Sequence, residues 1–281
     1  MRASPTGTLW LVATPIGNLG DFPPRASEVL ASVELLCCED TRRTGVLLRH
    51  FGLRVPRLAV CNDYTELACS RDVLDVLATG SDVALVSDAG TPGVSDPGER
   101  IVREALDAGH PVSAVPGPSA VIMALTISGL PTSRFVFEGF LPRKGRERSE
   151  RLAEISSERR TTVVYEAPHR IERTLHDLRS ALGDARMVAV ARELTKLHEE
   201  VVRGPLGEVE VGTPRGEYVV VISGAPDDDA PPDDDSVRRA LRDALERGAS
   251  TRDAVAEVTA ATGRAKREVY DLAVALREPE R

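Results

Sequence analysis

Four short segments gather the residues that could hold a ligand. Thr14-Pro15-Ile16-Gly17-Asn18-Leu19-Gly20-Asp21 follows the apolar run Leu9–Ala13, and Glu39-Asp40-Thr41-Arg42 follows Glu34–Cys38. Ser87-Asp88-Ala89-Gly90-Thr91-Pro92-Gly93-Val94-Ser95-Asp96-Pro97-Gly98 follows Asp82–Val86, and Pro116-Gly117-Pro118-Ser119-Ala120 follows Val112–Val115. Glycine, proline, small residues and carboxylates in such loops let backbone N–H and C=O groups approach a ligand closely. No lysine follows the glycines, so a phosphate-binding P-loop is absent, as is the dinucleotide fingerprint G-x-G-x-x-G. The glycine-rich loop of the common Rossmann-type methyltransferases, with its preceding acid, is missing too. One such loop is an ordinary turn. Four along one sheet edge point to a binding site.

The elements that must position these loops are legible as apolar runs alternating with helical patterns. Strands are expected at Leu9–Ala13, Glu34–Cys38, Arg57–Cys61, Asp82–Val86 and Val112–Val115, with helices over 23–32, 41–50, 66–78, 97–108 and 119–128. Continuous apolar strands separated by helices describe a parallel sheet covered on both faces. From Pro131 the pattern changes. Strands are expected at Arg134–Glu138, Thr161–Tyr165, Met187–Ala191, Glu199–Arg203 and Glu217–Ser223, with a helix after the charged loop at 143 and another over Pro168–Leu182. The last three strands lack long helices between them, which points to a mixed sheet with an antiparallel part. The expected domains are 1–130, 131–226, an acidic linker 227–235 and a helical module 236–281. In that module Asp235 or Ser236 is placed to cap the first helix and Gly248 to end it. Ser250 with Asp253 resembles a capping box, and Gly263 ends the second helix.

Composition sets the outer limits. At 281 residues, 42% hydrophobic and 28% charged, the chain is an ordinary globular α/β protein rather than a disordered one. No apolar run approaches the roughly 20 residues needed to span a bilayer, and the first residues do not read as a secretory signal. The net charge of −8 comes mostly from six acids within 227–235, so the rest is near neutral and a local basic patch remains open. The four cysteines, Cys37, Cys38, Cys61 and Cys69, form no C-x-x-C pair. They read as reduced thiols of a cytoplasmic protein rather than a zinc site or disulfide framework.

Seven segments in order resemble one family. They are Leu11–Asp21, Cys38–Arg42, Ser87–Gly98, Pro116–Ala120, Phe137-Glu138-Gly139-Phe140-Leu141-Pro142-Arg143-Lys144-Gly145, Tyr165-Glu166-Ala167-Pro168-His169-Arg170 and Arg192-Glu193-Leu194-Thr195-Lys196. The family is the bacterial ribosomal RNA small subunit methyltransferase I, within the tetrapyrrole-methylase fold. The resemblance covers residues 8–225, and the tail resembles that family's C-terminal helical domain. It implies two α/β domains with S-adenosylmethionine in the cleft between them, in a homodimer. The implied activity is 2′-O-methylation of a cytidine in the decoding centre of 16S rRNA, on assembled small subunit rather than naked RNA. Tetrapyrrole methylases carry glycines in the first loop where this chain has Pro15-Ile16-Gly17-Asn18, which favours the rRNA branch.

By resemblance the cofactor lies against Pro15, Asp88, Ala89, Gly90, Val94, Pro116, Ser119 and Ala120. Loops 14–21, 87–98 and 116–120 hold no Lys or Arg, which suits a positively charged cofactor. Ser119 is also placed to be a helix N-cap. Methyl transfer needs alignment more than covalent help, but a hydroxyl acceptor needs a base or a cation to stabilise its alkoxide. Glu39, Asp40, Glu166, Glu193 and Lys196 are the candidates, with Lys196, Glu193 and Glu39 foremost. Lys196 is one of three lysines, and a lysine's pKa can be tuned by burial. An ordinary Glu193–Lys196 surface ion pair stays equally open. Arg143, Lys144 and Arg146 are expected to grip RNA backbone, with Arg192 as a further phosphate ligand. Arg170 reads as an exposed helical residue. The rest of 143–151 reads as a solvated face with a Glu147–Arg151 pair. His169 and His198 lack metal-ligand spacing and read as structural or surface residues.

Overall fold

Leu35-Leu36-Cys37-Cys38 offers no side chain to solvent: all four are buried. A strand covered on both faces has no reason to alternate. The computed structural model describes residues 6–62, 64–226, 234–247 and 249–276. Strands β1 (Leu9–Val12), β2 (Leu35–Cys38), β3 (Arg57–Val60), β4 (Val83–Leu85) and β5 (Val112–Val115) form a parallel sheet in the order β3-β2-β4-β1-β5. Helices α1 (Pro24–Ser32), α2 (Thr41–His50), α3 (Glu66–Ala78), α4 (Glu99–Asp107) and α5 (Ala120–Ile127) connect and follow them. Leu11 pairs with Leu85 on one side and Ala114 on the other. The loops after β1, β4 and β5 therefore leave the sheet side by side. The chain from β1 runs toward β2 and that from β4 toward β5, and such an opening is where parallel sheets bind ligands.

The second sheet is mixed, as its sequence pattern implies. It contains β6 (Phe135–Phe140), β7 (Thr161–Glu166), β8 (Met187–Arg192), β9 (Glu200–Pro205) and β10 (Tyr218–Ile222), in the order β6-β7-β10-β8-β9. The β6–β7 pair is parallel and the other pairs are antiparallel. Helices α6 (Gly145–Ser157) and α7 (Ile171–Leu182) cover one face through Ile155, Ile171, Leu175 and Leu178. The other face receives α5, whose Val121, Ala124 and Leu125 meet Val163, Ala189 and Val221. Each such fully buried aliphatic is worth about 1.5–3 kcal/mol, so both sheets belong to one compact unit, Met1–Ala225.

Several ends differ from the sequence reading. Strand β6 runs two residues past Glu138, through an irregularity in its pairing with β7. Helix α4 starts at Glu99 rather than Pro97 because Gly98 has φ +137°. Helix α7 starts at Ile171, after a turn at 168–170. All four cysteines are buried and unbridged. Among the described residues no helix is long and apolar enough to cross a membrane.

The second unit, Pro226–Arg281, holds α8 (Asp234–Glu246), α9 (Thr251–Thr262) and α10 (Lys266–Ala275) around Val237, Leu241, Val255, Val258 and Val269. Helix α8 begins at Asp234, so positions 235 and 236 lie inside it rather than capping it, and the last two linker positions are helical. The remainder of the acidic linker, and Gly248, lie outside the described residues. Ser250 does cap α9 by accepting from the Asp253 N–H, and Gly263 closes it in the left-handed conformation at φ +66°.

Candidate functional site

Thr14 and Gly90 tie the first and third loops together. The Thr14 N–H donates to the Gly90 carbonyl at 2.8 Å, and the Gly90 N–H returns to the Thr14 carbonyl at 3.0 Å. The Thr14 hydroxyl donates to the Ser87 carbonyl at 3.1 Å. Gly90 sits at φ +84°, where a side chain would be strained and its β-carbon would lie 3.4 Å from Ile16. The fourth loop joins through Thr91, whose hydroxyl donates to the Pro118 carbonyl at 3.3 Å. A β-carbon on Gly117 would press against Ala13 at 2.9 Å. Hydrogen bonds and close packing thus make one floor from three loops.

Acids converge on that floor. The Asp88 N–H donates to Glu39 at 2.9 Å, and Asp88 Oδ1 accepts from the Asp40 N–H at 3.2 Å. Arg43 from α2 stands 3.5 Å from Asp88. Burial raises the Asp88 carboxyl above its ordinary range, and Arg43 opposes this. Asp40 faces away: it caps α2 and binds Arg42 at 2.7 Å, which pulls its pKa down to about 2. Asp96 is different. Burial, then the charge of Glu39, pushes it up to about 7, while the Ser87 hydroxyl partly offsets the shift. Among the described residues Asp96 pairs with no arginine or lysine. A half-buried carboxyl beside other acids and without a cation holds its proton to higher pH.

The facing wall comes from the second sheet. Tyr165, at the end of β7, packs edge-on against Phe137 at 4.9 Å and beside Phe140 at 5.5 Å. Burial, then Asp96, pushes its hydroxyl up to about 12. Glu166 is buried and engaged by Thr174 at 2.6 Å, the Ala167 N–H at 2.9 Å and Arg170 at 3.2 Å. Beyond β8 the turn at 193–195 is forced into unusual backbone, with φ +51° at Glu193 and +67° at Thr195. Between the walls lies a cavity of about 360 Å³, within the range that holds a small cofactor.

Of the sequence-derived candidates, Glu39, Asp88, Ala89, Gly90, Val94, Ser119, Ala120 and Glu166 line this cavity. Pro15 and Pro116 stand outside its lining; Pro15 is half-buried beside Ile16, and Pro116 is exposed. Ser119 occupies the N-cap position of α5, but its side chain makes no cap bond. Glu193 and Lys196 also stand outside the lining, joined to each other at 2.7 Å, with Glu217 3.0 Å from Lys196. Burial works against the Lys196 charge, but the bonds to Glu193 and Glu217 outweigh it and raise its pKa. That is the opposite direction from a lysine serving as a base.

Among the arginines, Arg143, Lys144 and Arg146 are exposed, and Arg146 pairs with Glu150 at 2.6 Å. Arg192 pairs with Glu200 at 2.9 Å, while its Nε is buried with no hydrogen-bond partner among the described residues. Two expectations are corrected. Arg170 is not an exposed helical residue: it is half-buried, donates to the Leu141 carbonyl at 2.6 Å and holds Glu166. The 147–151 face is not simply solvated. Arg151 reaches Glu138 and Glu154 instead of Glu147, and Arg148 is buried. Sequence reasoning passed over Asp96, Tyr165, Arg43 and Glu217 as lining residues. Asp96 lay in the twelve-residue loop, with Ser95 at φ +60° and Gly98 at +137° beside it. Half-burial with no cation alongside among the described residues is a tertiary property.

Residues 8–210 match the family model described as Tetrapyrrole (Corrin/Porphyrin) Methylases, and residues 230–277 match that described as RsmI C-terminal HTH domain. The chain is 44% identical, over 96% of its length and 98% of the relative's, to the ribosomal RNA small subunit methyltransferase I of Synechocystis sp.. It is 48% identical to the Xylella fastidiosa protein of that name, over 81% of this chain and 85% of the relative. Among solved structures it resembles the methyltransferase CobJ, with TM-score 0.60 and 20% identity over 78% of this chain and 95% of the other.

Proposed function

Because the chain belongs to the ribosomal RNA small subunit methyltransferase I family of the tetrapyrrole methylases, we propose that it methylates 16S rRNA with S-adenosylmethionine as donor. The acceptor in this reading is the 2′-hydroxyl of a decoding-centre cytidine, presented by the assembled small subunit. A cytoplasmic homodimer is the working form.

The charge of the cleft carries the reading. Glu39, Asp88 and Asp96 line it, and Arg43, a cation in the lining, is paired with Asp88. An acid-lined, rigid floor suits a sulfonium cation better than a phosphate. Asp88, the backbone of 88–90, Ser119 and Ala120 would hold the cofactor, and the small side chains leave the backbone open to it. When bound, S-adenosylmethionine supplies an electrophilic methyl group.

The protein's own contributions are then alignment and proton acceptance. Glu39 is engaged by Asp88, Glu166 by Thr174 and Arg170, and Glu193 by Lys196 and the Glu217 N–H. Asp96 is the lining carboxylate poised near neutrality, and it takes the proton from the acceptor hydroxyl. Lys196 stays a cation and steadies the 193–196 turn.

Radiolabelled S-adenosylmethionine with small subunits lacking the modification, naked rRNA and tetrapyrrole precursors in parallel tests the whole reading. Alkali cleaves RNA through the 2′-hydroxyl, so ribose methylation leaves a labelled uncut dinucleotide. Label in a mononucleotide overturns the ribose assignment, and label in the tetrapyrrole alone overturns the substrate.

A further inference from the structure

Phe140 lines the cleft yet is 53% exposed, whereas Leu194, Tyr218 and Val219 in the same wall are buried. Its position is built rather than incidental. In the β6–β7 pair Phe137 stands opposite Val163, and the next partners are Phe140 and Tyr165, so three steps of β6 face two of β7. Gly139 sits inside the irregularity at φ +61°. An extra residue of this kind re-aims the side chain that follows it. Phe137 packs against the buried apolar layer, Tyr165 leans on Phe137, and Phe140 leans on Tyr165. The aromatic row thus leads from the core to the mouth of the cleft.

The chain then dips and returns to solvent as cations. Leu141 is buried, and the Pro142 carbonyl is held by Arg148 at 2.9 Å. Arg143 and Lys144 are exposed, and neither pairs with a carboxylate among the described residues. An exposed aromatic face beside two unpaired cations is the combination that receives a splayed nucleotide, base on ring and phosphate on cation.

We propose that Phe140 is a positioning residue on which a nucleobase of the RNA acceptor stacks, while Arg143 and Lys144 hold its neighbouring phosphates. This rests on the rRNA reading above. Stacking would orient the ribose toward the cleft without reading base identity.

Steady-state methyl transfer to small subunits by the wild type, Phe140→Leu and Phe140→Trp tests it, with calorimetric titration of S-adenosylmethionine into each. Loss of one base stack raises KM for the subunit in Phe140→Leu about tenfold. Cofactor affinity stays unchanged, and Phe140→Trp transfers like the wild type. Three results overturn the proposal: an unchanged KM in Phe140→Leu, an equal loss in Phe140→Trp, or weakened cofactor binding, which would place the ring in the cofactor pocket. Failure of the rRNA reading shows separately, as a wild type that labels no RNA.

Discussion

Gly17 and Lys196, far apart in the chain, touch at the rim of the cleft. A β-carbon on Gly17 would run into Lys196 Cγ and lie 2.8 Å from the Thr195 hydroxyl and 3.1 Å from the Leu194 carbonyl. The first loop and the turn after β8 are therefore fitted to each other. The turn's backbone is already strained at Glu193 and Thr195 and cannot yield freely.

Gly17→Ala is expected to displace that turn and loosen the Lys196–Glu193 bond. Overpacking of this size costs about 1–3 kcal/mol. Thermal unfolding should drop measurably, and methyl transfer should fall further than cofactor affinity does. An unchanged unfolding temperature would mean the two loops move apart without penalty.

Arg148 is a structural anchor. It binds Asp177 at 2.8 Å, the Pro142 carbonyl at 2.9 Å and the Thr174 hydroxyl at 2.9 Å, and its side chain is 5% exposed. Arg148→Met leaves the Pro142 carbonyl without this donor and Asp177 with only Arg173 at 3.7 Å, at about 3 kcal/mol or more. Arg148→Lys does not recover the loss, because an ammonium cannot span the three partners. Both variants should also raise KM for RNA, since the Pro142 carbonyl holds the segment between Phe140 and Lys144. Calorimetric unfolding and subunit titration measure the two effects.

Much of this molecule could be read along the chain. Helices α2 and α3 and strand β5 fall where the apolar periodicity and breakers put them, because their limits are set locally. The boundaries that moved were set by local backbone geometry whose exact place the sequence pattern does not fix, such as the positive φ of Gly98 before α4 and the irregularity in β6. That these loops lie together around one cavity was legible because Gly- and Pro-rich segments recur at the ends of strands of one parallel sheet. The state of a carboxylate was not. Glu166, Glu193 and Asp96 look alike in sequence, and differ because Arg170 and Lys196 fold against the first two while, among the described residues, no cation folds against the third.

Asp88 ties the Glu39 loop to the floor through its N–H, a bond that survives replacement of the side chain. Asp88→Asn therefore keeps the fold while removing a charge from the proposed cofactor site. Expected is at least a tenfold loss of S-adenosylmethionine affinity, about 1.4 kcal/mol, with the circular dichroism spectrum unchanged. Full affinity in this variant would move the cofactor away from Asp88.

The charge of Asp96 acts with opposite signs on turnover and on stability. Its neighbours are Glu39, Asp88, the Ser87 hydroxyl and Tyr165, with Arg43 spent on Asp88. As the proton acceptor it must be ionised, so turnover should rise with pH through about 7. Asp96→Asn should lose that limb, with kcat reduced about 10²–10⁴-fold, a larger effect than any on cofactor affinity. Stability runs the other way. The folded pKa lies above the unfolded value of 3.8, so folding favours the protonated form. Its contribution is full below about pH 4 and is lost as pH rises to about 7. Asparagine mimics the protonated carboxyl, so Asp96→Asn should raise the unfolding temperature more at pH 8 than at pH 5, where the wild type has lost only part of that contribution. A variant that keeps the wild-type pH–rate limb would remove Asp96 from the reaction. An equal stability change at both pH values would show that its carboxyl is already charged at pH 5.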